Sequence, residues 1–189
     1  YRWGQNADVV IRMPTGAGVG AGPFHSQSNE AWFSHTPGLK VLYPSNPEDA
    51  KGLMLAAIED PNPVMIFEHK ALYRSLTGMV PENYYLTPIG KAKLVEKGKE
   101  LSIITYGMGV HWAKKAIKEK NISADILDLR TLLPLDKESI FESVIKTNKV
   151  LVLHEDCLTG GIGGEISSLI NENCFESLDA PVIRCASMD

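Results

Sequence analysis

An open α/β fold built on a mainly parallel sheet is the class this sequence predicts, on three observations. A strand, a capped helix and a second strand follow one another between Lys40 and Phe67, and a β-α-β crossover of that kind demands parallel strands. From Leu101 onward, apolar strands alternate with helically spaced apolar residues up to the end of the chain. Finally, 44% hydrophobic and 22% charged residues over 189 positions describe an ordinary soluble globular chain, long enough to bury a sizeable core.

Each element has its own signal. Val9-Val10-Ile11 reads as a short strand leading into a glycine-rich loop. Lys40 to Tyr43 and Pro63 to Phe67 are β-rich runs. Between them Ser45-Asn46-Pro47-Glu48 supplies a capping serine, a proline in the first turn and a glutamate three residues on. Ala50, Leu53, Met54, Ala57 and Ile58 then define the helix's buried face. Prolines, glycines and charges interrupt every period from Ser75 to Lys99, as in a linker, with a short strand expected near Lys91 to Val95. Leu101 to Tyr106 is a strand, and Val110, Ala113 and Ile117 mark a helix. Ala124 to Leu129 is the next strand; Asp136 caps a helix whose apolar face is Ile140, Phe141, Val144 and Ile145. Val150 to Leu153 is a third strand, Ile162, Ile166, Leu169 and Ile170 trace a helix, and Pro181 to Arg184 gives the last strand. No internal repeat is evident.

Several classes of function are excluded. A net charge of -4 with dispersed Lys and Arg argues against nucleic acid as a partner. No apolar run approaches the roughly 20 residues that span a bilayer, so no membrane role is expected. Cys157, Cys174 and Cys185 are odd in number and lack metal spacing, which fits small thiols in a reducing compartment. A start at Tyr1 without methionine suggests a piece of something longer.

The stretch GAGVGAGPFHSQSNEAWFSH, residues 16 to 35, raises the functional question. It offers three readings: a phosphate cradle, a catalytic loop or a flexible connection. The glycines miss the dinucleotide fingerprint, because Ala21 stands at the third position and no acidic residue closes a second strand at the proper distance. Gly90-Lys91-Ala92 and Gly98-Lys99-Glu100 both fail as Walker loops. TGGIGGE, residues 159 to 165, sits between strand and helix, but Glu155, Asp156 and Glu165 disfavour phosphate and the turn reads as structural. His25 differs: it follows a glycine loop, and Ser26, Gln27 and Ser28 beside it can donate or accept hydrogen bonds. His35 and His69 are weaker candidates, His111 reads as solvated, and His154 reads as a hydrogen-bonded structural histidine at the end of a strand.

The residues also carry a resemblance. HSQSNEAWFSHTPGLKVLYPSNPEDAKGLMLAAIEDPNPVMIFEHKALYR (25 to 74), DLRTLLPLD (128 to 136) and HEDCLTGGIGGEISSLINENCFESLDAPVIR (154 to 184) resemble the beta subunit of thiamine-diphosphate-dependent 2-oxo acid dehydrogenases. The HSQSxEA motif and the LTGG loop look more like branched-chain members than pyruvate members. The resemblance implies the latter part of a pyrimidine-binding domain over residues 1 to 75, a linker over 76 to 99, and a transketolase C-terminal-like domain over 100 to 189, truncated at its end. Missing would be the first domain's earlier part, with the glutamate that activates the aminopyrimidine and the aromatic residue against its ring. The implied activity is oxidative decarboxylation of a branched-chain 2-oxo acid with acyl transfer to lipoamide. Pyruvate as substrate, or a non-catalytic assembly module, are the alternatives. Among the implied site residues His25 is catalytic, handling protons beside the thiazolium. The implied partners are an alpha subunit or alpha region carrying the diphosphate and magnesium, a second copy of the chain, and a lipoyl-bearing acyltransferase core. The implied location is the cytoplasm, or the mitochondrial matrix in a eukaryote. Some members also hold potassium through oxygens that fall here on Ala7, Val9, Val10, Ala57, Asp60 and Asn62. Of these only Asp60 and Asn62 match by residue type, and an ordinary helix end and turn is the competing reading.

Overall fold

The computed structural model describes Gly4 and residues 6–188; Tyr1 and Asp189, read above as the ends of a fragment, lie outside them. Among the described residues the strands form two sheets, both mainly parallel. The first sheet contains β1 (Val10–Thr15), β2 (Lys40–Leu42), β3 (Val64–His69) and β7 (Thr131–Leu133), in the order β1-β3-β2-β7. Its first three strands run parallel, and β7 closes it antiparallel against β2. The second sheet has the order β4-β6-β5-β8-β9, with β4 (Lys93–Glu96), β5 (Leu101–Thr105), β6 (Ala124–Asp128), β8 (Val150–Cys157) and β9 (Ile183–Ser187). Only β4 is antiparallel there.

The expected β-α-β unit is present: β2, α2 (Pro47–Glu59) and β3, with β2 and β3 adjacent and parallel. Its cap differs from expectation. Asn46, not Ser45, occupies the N-cap, and its side chain accepts from the Asp49 N–H at 2.9 Å. Ser45 is buried, and its hydroxyl instead donates to the Asp128 carboxylate. Leu53 and Ala57 are buried as the spacing predicts, but Ile58 is 64% exposed. One residue beyond Ala57 turns about 100° around the helix and leaves the buried face. Ile145 on α5 (Lys137–Thr147), 55% exposed, follows Val144 out of the core in the same way, while the Asp136 cap of that helix accepts from Ser139 N–H as expected. In the same layers lie α4 (Met108–Lys120) and α6 (Gly163–Cys174); α1 (Glu30–Ser34) and α3 (Leu72–Ser75) are single turns.

Two features join the halves. One is β7, a second-half strand completing the first sheet. The other is a common core in which Val41, Tyr43, Met65 and Phe67 of the first half pack with Ile104, Tyr106 and Leu129 of the second. Tyr43 stacks on Phe67 at 6.1 Å between ring centroids and tilts against Tyr106 at 5.1 Å. A fully buried aromatic of this kind contributes about 2–3 kcal/mol through area alone. A polar latch lies alongside: buried Asp49 pairs with Arg130 at 3.0 Å, and burial pushes the Asp128 carboxyl up to about 7. Nor is the stretch from Ser75 to Lys99 a free tether. Thr87 N–H donates to the Gly52 carbonyl at 3.1 Å, and Lys51 caps the carbonyls of Pro81, Glu82 and Asn83.

Candidate active site

β1 ends at Thr15 and the glycine run begins. Gly16 has φ +84°, and a Cβ there would lie 2.3 Å from the His69 ring, so only glycine lets the chain lie flat on that imidazole. The chain then turns through Pro23–His25 and returns. Gln27 closes it, its carbonyl accepting from Gly16 N–H at 3.1 Å and from the Thr15 hydroxyl at 2.7 Å. Within the turn Ser26 Oγ donates to the Gly22 carbonyl at 2.8 Å, and Lys70 Nζ donates to the His25 carbonyl. The backbone is thus held at both ends while His25 stands exposed, beside an 86% exposed Phe24. Of the three readings of this stretch, these bonds argue against a slack connection.

Below the loop lies a seam of buried polar groups that sequence reading underrated. Glu155 on β8 accepts from the Ala17 N–H at 2.8 Å and from His69 Nε2. His69 Nδ1 accepts from Ala71 N–H at 3.2 Å, which leaves Nε2 as the donor and fixes the tautomer. Burial pushes the Glu155 carboxyl up, but the hydrogen bonds from His69 and Ala17 outweigh it and hold it below the usual carboxylate range. On α1, Glu30 is fully buried, and its Oε1 accepts from the Tyr106 hydroxyl at 2.8 Å while Oε2 has no hydrogen-bond partner among the described residues. Burial pushes this carboxyl up to about 7, with the nearby Asp156 charge adding to the effect.

His154 departs from expectation. It is buried, yet among the described residues neither ring nitrogen has a hydrogen-bond partner of ordinary geometry; the ring stacks on Tyr106 at 6.3 Å and 7°. Burial lowers its pKa against a smaller upward pull from the Asp156 backbone. The TGGIGGE turn wraps this ring: a Cβ on Gly163 would lie 2.3 Å from it, which supports the structural reading of those glycines. His111 is not simply solvated either, since its Nε2 bonds the Ser45 carbonyl at 2.7 Å. His35 is exposed at the end of α1.

A cleft of about 490 Å³ opens between the loop and the second sheet, lined among others by Ser26, Gln27, Ser28, Trp32, Glu155 and Asp156. A second cleft of about 390 Å³, beside α2 and α3, contains Arg12 and Glu68. These two neutralise each other through paired 2.7 Å bonds, so it offers less unspent chemistry. The acidic pair Glu155-Asp156 before a glycine turn was visible in sequence. What was missed is that strand alternation puts His154 and Asp156 on one face and frees Glu155 for the other.

The oxygens considered for potassium gather at the start of β1 and β3 and the end of α2. Ala57 packs in one cluster with Val64 and Val10. The carbonyls of Ala7, Val9 and Ala57 accept from Val9, Val64 and Asp60 N–H. The Asp60 carboxylate receives Lys40 Nζ and both the N–H and side-chain amide of Asn62, and these bonds hold it low against the upward push of burial. Among the described residues no group of three or more His, Cys, Asp or Glu is arranged to hold a metal, and no helix is long and apolar enough to cross a membrane.

Two α/β units joined in this order, with a glycine-seated histidine loop at their seam, define a transketolase-type arrangement. Residues 1–75 match the transketolase pyrimidine binding domain and residues 90–189 the transketolase C-terminal domain, and the chain belongs to that thiamine-diphosphate-dependent family. Its similar relatives include a 2-oxoisovalerate dehydrogenase subunit beta of Bacillus subtilis, 48% identical over 96% of this chain and 56% of the relative. A mitochondrial counterpart of Dictyostelium discoideum is 45% identical over 100% of this chain and 53% of its own length. A pyruvate dehydrogenase E1 component subunit beta of Porphyra purpurea is 46% identical over 96% and 55%. The chain therefore spans about half the length of these relatives. Among solved structures, a split gene transketolase in an inactive beta4 tetramer superposes with a TM-score of 0.77 over 97% of this chain and 59% of its own, and at 24% identity it speaks for the fold alone.

Proposed function

We propose that this chain serves as part of the beta subunit of a 2-oxo acid dehydrogenase, decarboxylating branched-chain 2-oxo acids and passing the acyl group to lipoamide. The observation that carries the reading is the loop itself, pinned at Thr15, Gly16 and Lys70 with the His25 imidazole exposed at the surface. An exposed imidazole on a fixed backbone is suited to general acid–base work. Thiamine diphosphate supplies the carbanion chemistry in such enzymes. The contribution of this chain is to hold His25 toward the cofactor, with Lys70 on the His25 carbonyl and Thr15 and Gly16 on the Gln27 carbonyl fixing the backbone that follows the ring.

The diphosphate and its magnesium are assigned to an alpha subunit or alpha region. A second copy of the chain and a lipoyl-bearing acyltransferase core complete the assembly. Residues 76–99 act as the connection between the pyrimidine-binding part, 1–75, and the C-terminal domain, 100–189. A potassium ion at Ala7, Val9, Val10, Ala57, Asp60 and Asn62 would take Asp60 as its charged donor, in competition with Lys40. Eukaryotic relatives are named mitochondrial, and a matrix or cytoplasmic location is proposed accordingly.

The test uses the full-length protein assembled with its alpha partner. Thiamine-dependent decarboxylation should favour branched-chain 2-oxo acids over pyruvate in kcat/KM by about tenfold or more, the scale on which pocket size discriminates. Light scattering should return two beta regions per assembly. Preference for pyruvate moves the assignment to the alternative that the Porphyra relative represents, and absence of thiamine-dependent turnover leaves an assembly module.

A further inference from the structure

Glu155 belongs to the second half of the chain, yet both of its oxygens are spent on the first. Its Oε1 takes the Ala17 N–H and its Oε2 takes His69, on which Gly16 lies flat. The next contact out is also fixed, because Gly16 N–H and the Thr15 hydroxyl hold the Gln27 carbonyl, two residues beyond His25. Lys70 completes the circuit: it lies near enough to lower the Glu155 pKa, and its ammonium holds the His25 carbonyl. We propose that Glu155 is a positioning residue, a clamp from the C-terminal domain that seats the glycine run on His69 and thereby sets where the His25 imidazole stands. The proposal rests on the reading of His25 as the proton-handling group.

Three features favour a clamp over an incidental surface contact. The carboxylate side chain is only 14% exposed, so its bonds are little screened. Both partners are themselves held, Ala17 by the loop closure at Gly16 and His69 by Ala71, so the carboxylate joins parts that are already ordered. And β8 alternation turns Glu155 away from the face that carries His154 and Asp156, leaving no other described hydrogen-bond partner for its carboxylate oxygens. A shift of about 1 Å in a catalytic group can cost as much as a hundredfold in rate, so a tether this close to His25 has leverage on turnover.

The experiment compares Glu155→Ala, Glu155→Gln, His25→Ala and the double variant Glu155→Ala/His25→Ala in the full-length assembly with thiamine diphosphate. Glu155→Ala should raise amide exchange at Ala17 by about tenfold or more and lower kcat by about tenfold, with little change in melting temperature. Glu155→Gln, which keeps an acceptor for Ala17 but turns its amide N–H group against the His69 Nε2–H, should restore the Ala17 protection and recover only part of the rate. In the His25→Ala background the Glu155 substitution should cost almost nothing further, since both act through one imidazole. Unchanged exchange in a folded Glu155→Ala overturns the clamp while leaving the His25 reading intact. Raised exchange with wild-type turnover, or fully additive losses in the double variant, overturns the positioning role. Failure of His25→Ala itself to slow turnover removes the reading on which the role depends. Should Glu155→Ala not fold, Glu155→Asp, one methylene too short to reach both partners, carries the same readouts.

Discussion

Glu30 sits in the core of the seam with Tyr106 donating to one oxygen and no described residue bonding the other, and the side chains that act on it are Tyr106, Asp156 and Glu155. Burial raises its carboxyl to about 7 from an ordinary 4.5. Between those values the folded protein keeps a proton that the unfolded chain has released, so the contribution of Glu30 is full below about pH 4.5 and is lost as pH rises through 7. A displacement of that size corresponds to about 3 kcal/mol. Glu30→Gln should therefore flatten the melting temperature against pH, gaining on wild type by a few kcal/mol from pH 5 to 8. Asp128, raised to about 7 by the same cause, keeps part of the slope in the variant. Parallel curves for the two proteins would contradict this account. Nothing in the spacing of HSQSNE says that its glutamate points inward; that follows from the α1 turn packing against Tyr106, a residue 76 positions away.

At the level of elements, local signals carried the sheet strands and helix faces, and tertiary partners decided the rest. Ser45 and Asn46 are equally good caps by type, and the choice between them fell to Asp128, which takes the serine hydroxyl. β7 is three residues between β6 and a proline-marked turn, too short for a period to show, and it becomes a strand because β2 offers an open edge. His154 was expected to be satisfied by a hydrogen bond and is held by packing against Tyr106 and the glycine turn. The end of α2 yields a prediction of its own. If potassium displaces Lys40 at Asp60, the assembled protein should melt about 3–5 °C higher in potassium chloride than in choline chloride of equal ionic strength. The difference should vanish in Asp60→Asn. Equal melting temperatures in the two salts would leave this corner an ordinary helix end, held by Lys40 and Asn62.

Over the whole molecule, local signals (strand runs, caps and helical spacing) made an open, mainly parallel α/β fold and a candidate histidine after a glycine run legible, while the transketolase-type domains were implied by the family resemblance. The seam was not legible, because Glu155–Ala17, Glu30–Tyr106 and Asp49–Arg130 join residues 76 to 138 positions apart. That seam makes the seating of the His25 loop a property of both halves. In the proposed function the loop presents one imidazole to a reacting carbon. The most direct test of this is single-turnover decarboxylation by the full assembly carrying His25→Ala, with cofactor affinity and melting temperature measured alongside. A loss of about 10²-fold or more is expected, the usual scale for a positioned acid or base, with affinity and melting temperature nearly unchanged. Wild-type decarboxylation by His25→Ala would contradict it and leave the loop a structural one.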